Sequence, residues 1–137
     1  MMEREYIVVA GMNEAALSFI RLLQHKELPF AVITNNKQEE KELKNIGISA
    51  VIRINTNHRS SWDIPNIAIG KVFVFESSLA LSCRYLQCCS LWTTKPIYVI
   101  TPHLNPRAIY KGLGAKYVIY SQSGGHGFLL SAQDTGI

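Results

Sequence analysis

The stretch Gly11-Met-Asn-Glu-Ala-Ala16 follows directly on the apolar run Tyr6-Ile-Val-Val-Ala10, and its residue types and spacing point to ligand chemistry. A short buried strand, a glycine turn and the start of a helix form the phosphate cradle of a dinucleotide-binding βαβ unit, written G-x-G-x-x-G/A. Gly11 stands at the first position, where a tight turn is needed, and Ala16 is an accepted third residue for close helix-strand packing. Asn13 takes the place of the middle glycine and adds a Cβ and an amide where backbone must approach a pyrophosphate. Glu14 puts a carboxylate in the first helical turn, where it favours the helix dipole by roughly 0.3–1 kcal/mol. The same charge repels a phosphate in that seat. Met12 completes the turn. Helix starter or anion repeller, Glu14 disfavours the usual ligand.

A second contact belongs at the end of the second strand, where an Asp or Glu holds the ribose hydroxyls. Here the run is Thr34-Asn35-Asn36-Lys37, with no carboxylate before Glu39 in the following helix. Loss of that acid can signal a 2′-phosphate, which wants an arginine nearby, and in sequence Lys37 is the one candidate. By topology Glu76, after the fourth strand, and His103, after the fifth, face the same crevice, or are a strand-end acid and a surface-loop histidine. Arg53, His58 and Arg59 offer positive charge near the third strand, and a solvated loop explains them too. Gly124-Gly-His-Gly127 is either an anion nest or a flexible turn. Neither a Ser/His/Asp nor a Cys/His pairing has catalytic spacing, and the only aspartates are Asp63 and Asp134.

These residues need a scaffold, and the apolar pattern supplies one. Strands are expected at 6–10, 30–34, 50–54, 71–75, 97–100 and 117–119. Helices are expected from Asn13 to Lys26, Lys37 to Ile46 with Leu43 and Ile46 on one face, Ser77 or Ser78 to Trp92, and Pro106 to Leu113. Gly47 ends the second helix. Segment 55–70, with Trp62 and Pro65, is long enough for a short helix or turn capping the sheet. Strands apolar on both faces and alternating with helices predict an α/β, Rossmann-like, doubly wound parallel sheet. Six strands in order 3-2-1-4-5-6, in three layers, put the ligand crevice at the carboxyl ends of strands one and four. The chain reads as a single domain over 1–137, with 121–137 a loosely ordered tail.

The totals exclude several classes. With 47% hydrophobic and 18% charged residues this is a globular domain, not a disordered one. The net charge of +4 comes from fourteen scattered Lys and Arg, without the basic stripe and interleaved aromatics of a nucleic-acid face. Met1 and Met2 lead straight into Glu3-Arg-Glu5, which predicts no signal peptide. The longest apolar helix, Leu79 to Trp92, is interrupted by Arg84 and Gln87 and is too short to span a bilayer. Cys83, Cys88 and Cys89 share no helix face, so they read as small apolar residues in a reducing compartment and not as a zinc cluster.

From Tyr6 to Tyr120 the order of elements resembles the N-terminal nucleotide-binding domain of Trk/RCK potassium-transport regulators. The segment Asn105-Pro-Arg-Ala-Ile-Tyr-Lys-Gly-Leu-Gly-Ala-Lys-Tyr-Val-Ile119 carries the resemblance furthest: a short helix ending in L-G-A, a charged residue, then the last strand. The resemblance implies a cytoplasmic regulatory module that performs no chemistry. It also implies assembly as dimers or rings, a membrane transport subunit as partner at the inner face of the membrane, and binding of NAD(H) or an adenine nucleotide. The family pattern is G-x-G-R-x-G, so Asn13 and Glu14 depart from it, Glu14 reversing the sign of an arginine. The family's G-D after the third strand is Ile54-Asn55 here. Three departures at ligand positions make the dinucleotide site vestigial and the expected cofactor none, with NAD(H) or an adenine nucleotide as the alternative.

The helix from Ser78 to Trp92 is apolar at too many angles for one core-facing stripe. Leu79, Cys83 and Leu86 are expected to face the sheet, leaving Leu81, Tyr85, Cys88 and Trp92 on a second face. Segment 55–70 or the tail covers that second face, or else it is a homodimer interface that takes Tyr85 and Trp92 out of solvent.

Overall fold

The computed structural model describes residues 4–58, 62–103 and 106–121. Its centre is β1 (Glu5–Ala10), whose Val8, Val9 and Ala10 are fully buried. β2 (Phe30–Thr34) and β3 (Val51–Arg53) lie to one side, and β4 (Ala68–Phe75), β5 (Ile97–Thr101) and β6 (Tyr117–Tyr120) to the other. All five pairings are parallel, in order β3-β2-β1-β4-β5-β6. The expected sheet is therefore observed, with β3 trimmed by a residue at each end and β4 starting three residues earlier.

Helices α1 (Glu14–His25), α2 (Lys37–Asn45), α3 (Leu79–Trp92) and α4 (Arg107–Gly112) connect the strands. Alternating strand residues separate two cores. Val9, Phe73 and Tyr98 pack with Phe19 and Leu23 of α1 and Leu43 of α2. Val8, Val74 and Val99 pack with Leu86 and Cys89 of α3 and Tyr110 of α4. The three layers follow from this division. In α2, Leu43 is buried, but Ile46 is 51% exposed at the helix end, and Ile48 beyond Gly47 takes the inner place. Gly47 has φ of +94°, the left-handed residue that stops the helix. The first helix stops without glycine: Glu27 holds φ of +56°, a conformation costly for a residue with a Cβ.

Of the short helix or turn expected over 55–70, the described residues show a turn and no helix, with β4 beginning at Ala68. Trp62 folds onto the core beside α3, its indole N–H donating to the Asn55 carbonyl at 2.9 Å. The Trp92 indole donates in turn to the Trp62 carbonyl at 3.1 Å. The faces of α3 are largely reversed from those expected. Ser82, Tyr85, Leu86, Cys88, Cys89 and Trp92 are buried, and Leu79 is 46% exposed. Tyr85 and Trp92 thus leave solvent within the chain itself, Trp92 against the segment carrying Trp62.

Candidate functional site

The crevice lies at the carboxyl ends of β1 and β4, and its floor is the Gly11 turn. Gly11 has φ of +95°, and a Cβ there would stand 2.0 Å from the Phe75 carbonyl oxygen. Only glycine lets the end of β1 pass so close to β4. Asn13 follows as the N-cap of α1: its Oδ1 accepts the Ala16 N–H at 2.8 Å, and its Nδ2 donates to the Glu76 carbonyl at 3.0 Å. One side chain therefore joins the helix start to the end of β4. A helix-start N–H is thereby satisfied, which is what an N-cap does. Glu14 is exposed in the first turn, and Met12 leans partly buried against the α1 core.

Glu76 is the centre of a second cluster. Its carboxylate is only 6% exposed. Tyr110 donates its hydroxyl to Oε2 in a short hydrogen bond, Thr101 donates to Oε1 at 2.9 Å, and His103 Nδ1 lies 2.7 Å from Oε1. Burial alone would raise the carboxyl pKa, but the hydrogen bonds from Tyr110, His103 and Thr101, with the His103 charge, hold it below the ordinary glutamate value. The Tyr110 phenol is pushed upward, by burial and then by the carboxylate it faces. A cavity of about 480 Å³ opens beside this cluster, with Glu76, Ser77, Ser78 and His103 on its polar side and Leu79 and Ile109 on its apolar side. His103 is 69% exposed at the rim. The expected crevice residues Glu76 and His103 meet here with Thr101 and Tyr110, which the sequence placed only in the loop after the fifth strand and in a short helix.

The ends of β2 and β3 form the other half of the crevice. Thr34 is fully buried; its hydroxyl donates to Glu39 Oε1 at 2.7 Å and accepts the Asn36 N–H at 3.1 Å. Glu39 reaches back from α2, so a carboxylate does return to the strand end, engaged there by the chain's own hydroxyl. The Tyr85 phenol from α3 comes to the same place: burial, then the Glu39 charge, raises its pKa, against a hydrogen bond to the Asn35 backbone. Asn35 Nδ2 donates to Thr56 at 3.4 Å, and Asn55 Oδ1 accepts the Asn57 N–H at 3.0 Å. A second cavity of about 480 Å³ is lined by Asn35, Lys37, Arg53, Ile54 and Asn55.

Of the expected site residues, Gly11, Asn13, Ala16, Glu76 and His103 form one connected group. Thr34, Asn35 and Asn55 form another, and Met12 and Glu14 belong to the turn without entering either network. His58 turns its backbone N–H onto the Asn55 carbonyl at 3.1 Å. Arg59, Asn105 and Gly124 to Gly127 lie outside the described residues. Burial lifts the Cys88 thiol to about 12 and raises Cys83 and Cys89 as well, which keeps these sulfurs protonated. No group of metal-holding side chains occurs among the described residues. None of the described helices is long and apolar enough to cross a membrane.

No protein-family model and no curated protein sequence matches the chain. Solved structures do. The GsuK channel bound to NAD superposes with a TM-score of 0.71 at 16% identity, over 85% of this chain and 21% of that one. The TrkA-N domain of the inner membrane protein ybaL from Escherichia coli gives 0.66 at 12% identity, covering 97% of this chain and 96% of that domain. The NAD(P)-binding domain of an exopolyphosphatase-related protein from Archaeoglobus fulgidus gives 0.69 at 13%, with coverage of 97% and 96%. The chain thus spans about a fifth of the GsuK channel polypeptide and nearly all of the two isolated domains. At these identities the likeness is one of fold: a TrkA-N/RCK-like Rossmann domain.

Proposed function

We propose that this chain is a non-catalytic regulatory or assembly module on a TrkA-N/RCK-like scaffold, without ordinary NAD binding. The observation that carries the proposal is Asn13, whose amide joins the Ala16 N–H to the Glu76 carbonyl where the fingerprint has its middle glycine. Exposed Glu14 adds negative charge beside it. Glu76 supports the non-catalytic part: both its oxygens already accept hydrogen bonds from the chain, an arrangement that ties β4, β5 and α4 together. Calorimetric titration tests the reading. NAD and ADP at up to about 1 mM should give no binding heat, and a saturating isotherm for NAD would overturn it.

A second reading is a sensing domain that still binds NAD(H) or an adenine nucleotide. It is favoured by the Gly11 turn, which keeps the close approach of β1 to β4, and by the NAD carried by a neighbour of the same fold. In either case we propose a cytoplasmic homo-oligomer that serves a membrane transport subunit. The assembly surface is the outer side of α3 and α4, where Leu79 and Ile109 are 46% and 49% exposed on the flanks of one cavity.

A further inference from the structure

The lysines and arginines are spread along the whole sequence, but the carboxylates are not. From Ala68 to Ser121 there are six lysines and arginines and a single acid, Glu76, while the other nine acids of the chain lie before or after this stretch. Glu76 is 6% exposed and engaged by Thr101, His103 and Tyr110, so it puts little negative charge on the surface. Lys95 reaches Glu5 of β1 at 3.3 Å. Arg84, exposed on α3, and Arg107 and Lys111, exposed on α4, have no carboxylate within 4 Å among the described residues.

An apolar groove opens in this basic surface. It is the cavity of about 480 Å³ beside the starts of α3 and α4, walled by Leu79 and Ile109, which are 46% and 49% exposed. No carboxylate other than Glu76 lines it, and His103 stands at its rim. Its walls are aliphatic, the kind of seat that an apolar anchor of a protein segment fills, and carry no ring on which a base could stack. Two copies meeting across it set like charges against each other, which an acidic segment offsets.

We infer that this groove receives an acidic segment of a partner protein, one apolar side chain seated between Leu79 and Ile109 and its carboxylates over the basic surface of Arg84, Arg107 and Lys111. Charge complementarity selects the acids, and the aliphatic walls select the anchor. The inference deepens the assembly reading and rests on this side of α3 and α4 being a contact surface. It names what that surface takes besides a second copy.

The probe is a fluorescein-labelled polyglutamate peptide with one central leucine, titrated with the full chain and followed by fluorescence anisotropy. Binding below about 1 mM is expected at low ionic strength, weakening severalfold between about 50 and 200 mM salt. Serine in place of the leucine should weaken it about tenfold, as should Ile109→Ser in the protein. Arg107→Glu and Lys111→Glu should each weaken it by a similar factor, while Lys26→Glu, the same charge change on the exposed end of α1, leaves it unaltered. All these positions are exposed, and circular dichroism verifies the fold. Equal binding of the leucine and serine peptides, or an affinity indifferent to Arg107→Glu and Lys111→Glu, overturns the inference. So does tighter binding of a single-stranded oligonucleotide or of phosphatidylserine vesicles, which assigns the basic face to those instead. Sedimentation of the same samples separates the two readings: a monomer that binds the peptide sinks self-assembly alone, and an oligomer that ignores it sinks this inference alone.

Discussion

Asn13 makes two separable contributions, and substitution can divide them. Replacement by Asp keeps an acceptor for the Ala16 N–H but loses the donor to the Glu76 carbonyl, facing one acceptor with another. Replacement by Gly loses both contacts, although glycine is a tolerable N-cap that costs only a few tenths of a kcal/mol relative to Asn. The hydrogen bond to Glu76 contributes about 1 kcal/mol. Asn13→Gly should therefore cost about 1.5 kcal/mol, which for a domain of this size lowers Tm by roughly 4–8 °C. Asn13→Asp should cost about 1 kcal/mol or more, despite the negative charge it adds at a favourable helix start. Adding Glu14→Arg to Asn13→Gly removes a favourable dipole contact and inserts an unfavourable one, a further 0.5–2 kcal/mol or so.

The same changes open the phosphate seat. In calorimetry the double variant should bind NAD measurably better than the parent, which should show no heat at about 1 mM. Thermal unfolding supplies the stability arm. If Asn13→Asp and Asn13→Gly both melt with the parent, the amide does not tie α1 to β4. If they melt early and the double variant still ignores NAD, another group closes the seat. Either outcome refutes the reasoning in a different place.

The Glu76 carboxyl pKa is lowered by folding, so its stabilising contribution is present above the unfolded pKa and lost as pH falls through the folded value. Denaturation across the acid range should therefore show a falling limb that Glu76→Gln flattens; an unchanged limb would contradict the network. Glu27→Gly, at φ of +56°, should raise stability by about 1 kcal/mol in a urea titration, since glycine adopts that conformation without penalty. Gly11→Ala should leave the chain unfolded or expanded by circular dichroism, given a Cβ position 2.0 Å from the Phe75 oxygen. Sedimentation of the native chain should show a dimer or larger species, and Leu79→Glu with Ile109→Glu should give a folded monomer; a native monomer at tens of micromolar would remove the assembly surface.

The sheet was legible because each strand is a short run apolar on both faces, and because Gly11 and Gly47 sit where only their backbone freedom works. What escaped reading lay in side chains acting across long separations. In α3 the stripe Ser82, Tyr85, Leu86, Cys89, Trp92 has regular helical spacing, yet Ser82 and the small Cys89 hid it among larger apolar residues. Nothing local in the sequence says that Trp62 in particular will lie over Trp92, thirty positions away, although cover of that face by segment 55–70 was one of two expectations. Glu76 was visible as the acid after a strong strand, but Tyr110 and Thr101 come from elements whose residue types alone assign them to packing. Asn13 shows the limit from the other side. Its position marked a departure from the phosphate fingerprint, but only the fold reveals that the amide caps α1 and reaches the Glu76 carbonyl. A parallel sheet brings to one edge residues that share no local pattern, and the chemistry of this domain is gathered at that edge.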